Sequence, residues 1–305
     1  MIRNKLRRIV EYTPLYGRIL LKTEYPITEY RLQQLSTDEL LSILKHECHR
    51  IEKSIYNEIK EEKSEYYAEK KKRSEKVLEL LESREHNQKE VISWATEILK
   101  KYDNLDEEFI KKKRREPDQL DWGAAEDTLQ LVKSRRSVRV WADDQPSKEA
   151  LESMANKMVE AATWAPNSGN RQAWRFKIIT DDETKQLLRP IKEEHTIKAP
   201  LLVFIGMDSR VYGALGRNER SLYIDAGAAI MQMVLVGHST GLGICWNHFA
   251  DDLINSRDAN KEAYDEFAQA MSIADYIAPI AIVAVGKAEY IPPIPSRPDT
   301  EAFKM

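Results

Sequence analysis

Charge and glycine are distributed so unevenly along this 305-residue chain that its two parts must fold differently. Residues 1–120 contain 26 Lys or Arg, 24 Asp or Glu and a single glycine, Gly17. Residues 121–305 contain 21 basic and 26 acidic residues together with ten glycines. A charged, glycine-poor sequence favours helices, whereas glycines between apolar runs favour turns and strands. We place the boundary at Glu116-Pro117, after the basic block 111–115, because proline disfavours helical backbone in the residue before it.

The first part, residues 1–120, predicts an all-helical extension built on a long helical hairpin. Ser36 and Glu39 have the spacing of a capping box at a helix start. Apolar residues then recur every three or four positions, which indicates one buried stripe: Leu40, Leu44, Cys48, Ile51, Ile55 and Ile59. A second helix is expected around residues 75–101, and the two helices would join near residues 83–89. Two interpretations of the extension remain open. In the first it packs on its own core or on the other subunit, and in the second it binds a partner or covers the active site.

The composition excludes several classes of function. A net charge of −3 gives no general attraction to nucleic acid. Two cysteines, Cys48 and Cys245, cannot form a disulfide framework and suit a reducing, cytoplasmic environment. His46 and His49 share a helix face, but without a second cluster they do not predict a metal site. No apolar run approaches the ~20 residues of a membrane span, although the basic residues 1–10 leave open a surface helix on a membrane besides a solvated tail.

Two polar clusters in the second part predict a site for a phosphorylated aromatic ligand. Residues 134–139 contain three guanidiniums and the Ser137 hydroxyl, which together can bind phosphate. Residues 165–176 begin with turn-forming types, continue through the amides of Asn170 and Gln172, and end in an aromatic strand start. Amide side chains can hydrogen-bond the edge of a planar heterocycle.

In this order the clusters resemble the signature of the nitroreductase family of FMN oxidoreductases. The matching residues fit an Arg-x-Ser-x-Arg pattern and an Asn-x-Gln-Pro-Trp turn: Arg135, Ser137, Arg139, Asn170, Gln172 and Trp174. Asn167 stands where Ser is common, and Ala173 stands where Pro is common. The resemblance continues through a glycine-containing segment, 241–246, to a proline-rich tail with Arg297. It covers about residues 126–300.

The resemblance implies an α+β fold for residues 121–305, with a nitroreductase-like central sheet covered by helices. The residues themselves predict helices over 124–134 and 147–163, the second capped by Ser147, and strands at 174–180 and near residues 201 and 280. The family further implies a homodimer that binds FMN at the subunit interface. NAD(P)H would transfer hydride by way of the flavin to a small acceptor, such as a nitroaromatic or a quinone, in a ping-pong cycle.

The resemblance also assigns roles to residues. Arg135, Ser137 and Arg297 would bind the FMN phosphate, and Arg136 either shares that task or makes a structural pair. Arg139 would stabilise the negative charge of the reduced flavin. The flavin ring would contact residues from two further segments: Pro166, Asn167, Ser168, Asn170 and Gln172 in the turn, and the backbone of Leu242 and Gly243 in the glycine-containing segment.

Hydride transfer from a flavin requires no side-chain acid or nucleophile. His195, His238 and His248 share no motif and are interpreted as structural or surface residues, and Cys245 lacks a paired base in the sequence. The competing hypothesis is a flavin-binding scaffold whose helical extension binds a partner without reductase turnover. Because the flavin signatures follow residue 133, a chain starting near Asp121 is expected to keep FMN binding.

Overall fold

The computed structural model of the chain describes residues 29–56, 64–104, 122–249 and 259–305. The chain forms two compact units. The bundle unit contains the N-terminal helices together with Pro166–Ala173 and Asp208–Asp225, and the sheet unit contains Leu120–Ala165, Trp174–Met207 and Ala226–Met305. Several sequence predictions fall outside the described residues: those on residues 1–10, Ile59, the basic block 111–115 and the boundary at Glu116-Pro117.

The described part of the N-terminal extension contains four helices: α1 (Glu29–Gln33), α2 (Thr37–Tyr56), α3 (Ser64–Glu82) and α4 (Lys89–Asp103). The predicted capping box begins α2: the Ser36 hydroxyl accepts from the Glu39 amide at 3.3 Å, and the Glu39 carboxylate accepts from the Ser36 amide at 3.1 Å. The described residues of the predicted stripe are buried, and they pack against α3 and α4 in one core that includes Leu40, Leu44, Cys48, Ile51, Ile55, Val77, Leu81, Ala95 and Ile98.

The helix expected around residues 75–101 is divided in two, because α3 ends at Glu82 and α4 begins at Lys89. The described extension is therefore a bundle in which α3 and α4 both pack on α2, rather than a hairpin of two long helices. Arg84 fixes the connection by donating to the carbonyl oxygens of Leu35 at 2.6 Å and Gln33 at 3.1 Å.

Beyond residue 121 the described chain alternates helices and strands. The helices are α5 (Trp122–Ser134), α6 (Lys148–Thr163), α7 (Asp182–Leu187), α8 (Glu194–Ile197), α9 (Arg220–Ser239) and α10 (Ala259–Ala270). The strands are β1 (Trp174–Ile179), β2 (Leu201–Asp208), β3 (Gly243–His248) and β4 (Ile277–Gly286). The predicted cap of α6 is confirmed, since the Ser147 hydroxyl accepts from the Ala150 amide at 3.2 Å. Short 3₁₀ segments occur at Ser168–Asn170, Ser209–Asn218 and Thr300–Phe303.

The four strands form one sheet in the order β1-β2-β4-β3. The outer pairs are antiparallel, with Phe176 opposite Ile205 and Cys245 opposite Ala284. The central strands are almost entirely buried, as their apolar runs predict. Phe204 in β2 packs against Phe267 from α10, with ring centroids 5.9 Å apart. The α+β class is therefore confirmed. No helix in the described ranges is both long and apolar enough to span a bilayer.

Candidate functional site

A cleft of about 1060 Å³ in the sheet unit collects the predicted phosphate-binding residues. It is lined by Arg135, Arg136, Ser137 and Arg139, and also by Arg297 from the C-terminal tail. Five lining residues are cationic once Lys133 is included, and none of the lining residues is acidic. Its apolar lining comes mainly from α9, β3 and the tail: Met231, Val234, Ile244, Trp246, Pro292, Pro293, Ile294 and Pro295. The cleft therefore combines a concentration of positive charge with an apolar surface.

Strand β3 positions the Arg-Ser segment, residues 134–139. Ser137 forms a parallel bridge with Ile244, and the Val138 amide donates to the Ile244 carbonyl at 3.0 Å. Val138 is buried directly against Gly243, where a Cβ atom would lie 2.8–3.0 Å from the valine side chain. Because only a glycine leaves this room, Gly243 allows the segment to lie beside β3. Gly243 and the partly buried Leu242 are not among the residues that line the cleft.

The residues that directly follow the Arg-Ser segment contact the C-terminal tail and orient it. Trp141 forms an antiparallel bridge with Ala288, and the Glu289 amide donates to the Val140 carbonyl at 3.0 Å. The tail leaves this bridge through a run of prolines and brings Arg297 to the cleft. Two parts of the sequence that are far apart thus supply cations to one space.

The guanidiniums of the cleft differ in their partners. Arg136 donates to the carbonyl oxygens of Lys133 at 2.6 Å and Arg135 at 2.7 Å, and Arg139 donates weakly to the Ser137 carbonyl at 3.4 Å. The guanidiniums of Arg135 and Arg297 make no hydrogen bond or ion pair with the part of the chain that the structure describes. The Arg136 contacts favour a structural role, whereas Arg135 and Arg297 are available to an anion.

His238 lies beside the start of the Arg-Ser segment, a contact that the sequence did not predict. Its Nε2 atom is 2.8 Å from the Ser134 hydroxyl, at the end of α5. Partial burial, together with the nearby charges of Arg135 and Arg136, lowers the pKa of His238. The neutral imidazole is therefore favoured next to the cationic segment.

The predicted ring-binding turn belongs to the bundle unit, and none of its residues lines the cleft. The Ser168 amide donates to Asp225 at 2.9 Å, and the Tyr212 hydroxyl donates to the other oxygen of that carboxylate at 2.7 Å. Burial raises the pKa of Asp225, although both hydrogen bonds oppose that rise. Pro166 is exposed, and the amides of Asn167, Asn170 and Gln172 are partly buried. The assignment of these residues to the flavin remains a prediction.

Other candidate residues lie outside the cleft. The Cys245 thiol is buried on the opposite face of β3 from Ile244, 3.7 Å from His195 Nε2, and burial raises its pKa. A buried thiol with a raised pKa is a poor nucleophile. The described residues contain no group of three His, Cys, Asp or Glu side chains placed to hold a metal ion. Sequence inspection missed His248, Trp246 and Met231 as lining residues, and the alternation of β3 was the signal that could have indicated the first two.

The chain is similar to several known proteins. A protein of Archaeoglobus fulgidus, provisionally named NADH dehydrogenase/NAD(P)H nitroreductase, is 28% identical over 127 residues, covering 40% of this chain and 67% of that protein. A protein of Methanothermobacter thermautotrophicus with the same provisional name is 23% identical over 165 residues, covering 52% and 76%. A crystal structure of a provisionally named nitroreductase from Desulfovibrio desulfuricans in complex with FMN is 24% identical, covering 57% of this chain and 93% of that one, with a TM-score of 0.45.

The family model described as "Nitroreductase family" matches residues 132–200 and 188–287. These matches begin at the Arg-Ser segment, include the turn 166–173 and end at the last strand of the sheet. They span more than half of the 305 residues, and the chain therefore belongs to the nitroreductase family.

Proposed function

We propose that the protein is an FMN-dependent oxidoreductase that transfers hydride from NAD(P)H to a small acceptor, such as a nitroaromatic or a quinone, with ping-pong kinetics. The observation that carries this proposal is the cleft in which the guanidiniums of Arg135 and Arg297 have no anionic partner among the described residues. A cluster of cations without carboxylates is suited to a phosphate group. The adjacent apolar surface of Ile244 and Trp246 is suited to an aromatic ligand.

The residues fit FMN better than a dinucleotide, because one cationic cluster is suited to one phosphate. Arg135, Ser137 and Arg297 would bind that phosphate, and Arg139 would stabilise negative charge on the reduced cofactor. Bound FMN would supply the hydride-accepting and hydride-donating chemistry, while the protein binds and orients it. We further propose a cytoplasmic homodimer, which is supported by the family membership.

The phosphate assignment is tested by replacing the two available arginines in the full-length protein. We expect Arg135→Ala and Arg297→Ala each to weaken FMN binding by roughly ten- to a hundredfold, the effect of losing one charge-assisted contact. Arg189→Ala is the matched control, because the Arg189 side chain is 56% exposed and its guanidinium pairs with Glu194 outside the cleft. Fluorescence titration of FMN at two salt concentrations measures the effect. Equal affinities in all four proteins would rule out the phosphate assignment.

A measurement of turnover distinguishes the proposed oxidoreductase from the alternative, a flavin-binding scaffold without reductase activity. The purified protein is expected to be yellow and to oxidise NADH or NADPH in the presence of a quinone or nitroaromatic acceptor. A protein that binds FMN, but whose flavin neither donor reduces, would support a flavin-binding scaffold instead. A colourless protein that takes up no added FMN would contradict the proposed cofactor itself.

A further inference from the structure

The turn Pro166–Ala173 has an unusual backbone at the two residues whose amides the family resemblance assigns to the flavin ring. Asn170 and Gln172 both have a φ of 52°, next to Gly169 with a φ of 63°. Left-handed backbone is uncommon in residues with a side chain. It persists where surrounding contacts over-determine the conformation, and such positions cluster at functional sites. Contacts that impose this conformation on the turn must therefore exist within the bundle unit.

The first set of contacts lies within the turn. The Asn167 side-chain oxygen accepts from the Gln172 amide N–H at 3.0 Å, and the Gln172 side chain donates to the Asn170 side-chain oxygen at 3.0 Å. The main chain closes at the same place, where the Asn170 amide donates to the Asn167 carbonyl at 3.3 Å. The two amide side chains are thus held against each other in one fixed arrangement.

Arg171 supplies the second set from between the strained residues. It is only 5% exposed, and its Nε donates to the Val211 carbonyl at 3.0 Å. Its Nη1 donates to the carbonyl and the hydroxyl of Ser168 at 2.7 and 3.0 Å, and the guanidinium lies over the Tyr212 ring. Because this side chain is bound on several sides, the neighbouring residues cannot rotate without breaking buried hydrogen bonds.

Helix α2 of the N-terminal extension supplies the third set. The buried Ser42 hydroxyl donates to the Arg171 carbonyl at 3.4 Å. The fully buried His46 imidazole fills the space beside Gly169, where a Cβ atom would lie 2.2 Å from Cδ2 and 2.6 Å from Nε2 of the ring. His46 is itself held by the Glu47 carboxylate, 3.3 Å from its Nδ1 atom. The helix and the turn therefore fit closely at a position where only glycine has room.

We propose that helix α2 positions the amide pair of the turn, with Ser42, His46 and Arg171 as positioning residues that hold Asn170 and Gln172 in their binding conformation. The N-terminal extension then contributes to flavin binding, because it holds the strained turn Pro166–Ala173 in its conformation. This inference rests on the proposed function and on the family resemblance, which assigns the amides of the turn to the flavin ring.

The test uses two glycine variants of the full-length protein. Gly169→Ala introduces a methyl group against His46 at a positive φ. Gly216→Ala is the matched control, because its φ of 50° imposes a similar backbone strain but only the Ser209 carbonyl lies nearby, at 3.7 Å. We expect Gly169→Ala to weaken FMN binding by about tenfold or more and to change the visible circular dichroism of the flavin, while Gly216→Ala stays within about twofold.

A double variant identifies the cause. His46→Ala combined with Gly169→Ala removes the clash, so we expect it to regain part of the lost FMN affinity and the wild-type flavin spectrum. Absence of any recovery would exclude His46 as the contact that positions the turn. If Gly169→Ala alone does not fold, as judged by far-ultraviolet circular dichroism, His46→Ala carries the same test by removing support for the turn. Unchanged affinity and spectrum in that variant would overturn the proposal.

The outcomes also separate this inference from the proposed function. Wild-type protein that binds FMN, with Gly169→Ala and Gly216→Ala indistinguishable from each other in affinity and spectrum, overturns the positioning role and leaves the cofactor intact. Wild-type protein that binds no FMN contradicts the proposed function, and the positioning role falls with it.

Discussion

The two units differ in whether their clustered charges have partners of opposite charge. In the bundle unit the fully buried Glu47 carboxylate is matched by cations, with Lys70 Nζ at 3.0 Å and Arg73 Nη1 at 3.1 Å. In the sheet unit five cations line one cleft whose described lining contains no carboxylate. Compensated charge is stable without a ligand, whereas a cluster of like charges is destabilising until an anion binds. The comparison is consistent with a structural role for the first cluster and supports the proposed anion-binding role of the second.

The largest effect is expected when the N-terminal extension is removed. The sequence predicts that a chain starting near Asp121 keeps FMN binding, but the structure places the turn 166–173 and the segment 208–225 in the bundle unit, whose helices such a chain lacks. Without α2, buried groups such as Arg171 lose their surroundings. We now expect this truncated protein to aggregate or to lack flavin. Size-exclusion chromatography with light scattering and flavin absorbance measure both. A soluble, yellow product would show that the bundle unit is dispensable.

The next largest effect is expected from the buried carboxylate itself. Glu47→Gln keeps the side-chain shape but leaves the charges of Lys70 and Arg73 uncompensated. Breaking a buried pair in this way typically costs about 3–5 kcal/mol of unfolding free energy. Glu79→Gln is the control on helix α3, because Glu79 is 63% exposed in its pair with Lys76, and exposed pairs contribute roughly 0–1 kcal/mol. Urea unfolding compares the two variants, and equal losses would contradict the structural role.

The same variant has a defined pH dependence. Burial alone would raise the pKa of the Glu47 carboxyl, but the hydrogen bond to His46 and the charges of Arg73 and Lys70 outweigh burial and lower it. A lowered pKa stabilises the fold above the ordinary value of 4.5, and that contribution is lost as pH falls through the lowered pKa. The stability difference between wild type and Glu47→Gln should therefore shrink below about pH 4.5. A difference that stays constant down to acid unfolding would exclude this linkage.

Sequence patterns among neighbouring residues predict most elements of the fold. The capping residues Ser36 and Ser147 each begin the helix that their spacing predicts. The apolar run from residue 201 forms a buried central strand. These elements depend on local hydrogen bonds and on burial of one continuous stretch, so the sequence contains their cause directly.

Contacts between distant residues were not predictable in the same way. Residues 83–88 contain neither glycine nor proline, and the connection there is fixed by Arg84 through carbonyl oxygens at the end of α1. The positive φ values of Asn170 and Gln172 depend on a helix more than a hundred residues earlier in the chain. The cationic cleft could be anticipated only through the family resemblance, because nothing local to Arg297 indicates that it meets Arg135.

The smallest expected effect concerns Lys192, a cation of the sheet unit that lies outside the cleft. Its ammonium donates to the His248 carbonyl at 2.5 Å and lies 4.0 Å from the centroid of the Phe249 ring. Burial lowers the pKa of Lys192 from 10.5 to about 8. Its charge is thus balanced by a carbonyl dipole and an aromatic ring, an arrangement intermediate between the compensated bundle and the cationic cleft.

The sign of the Lys192 effect follows from proton binding. Between pH 8 and 10.5 the unfolded chain holds more protons on this side chain than the folded chain, so the free energy of unfolding rises with pH in that window. Lys192→Met lacks this rise, and we expect its stability relative to wild type to fall by an amount on the order of 1 kcal/mol between pH 7 and 10. Lys198→Met, at a side chain that is 70% exposed, controls for the loss of one positive charge. Parallel pH profiles for both variants would show that the Lys192 ammonium is as well solvated in the folded chain as in the unfolded chain. That result would contradict the lowered pKa of Lys192.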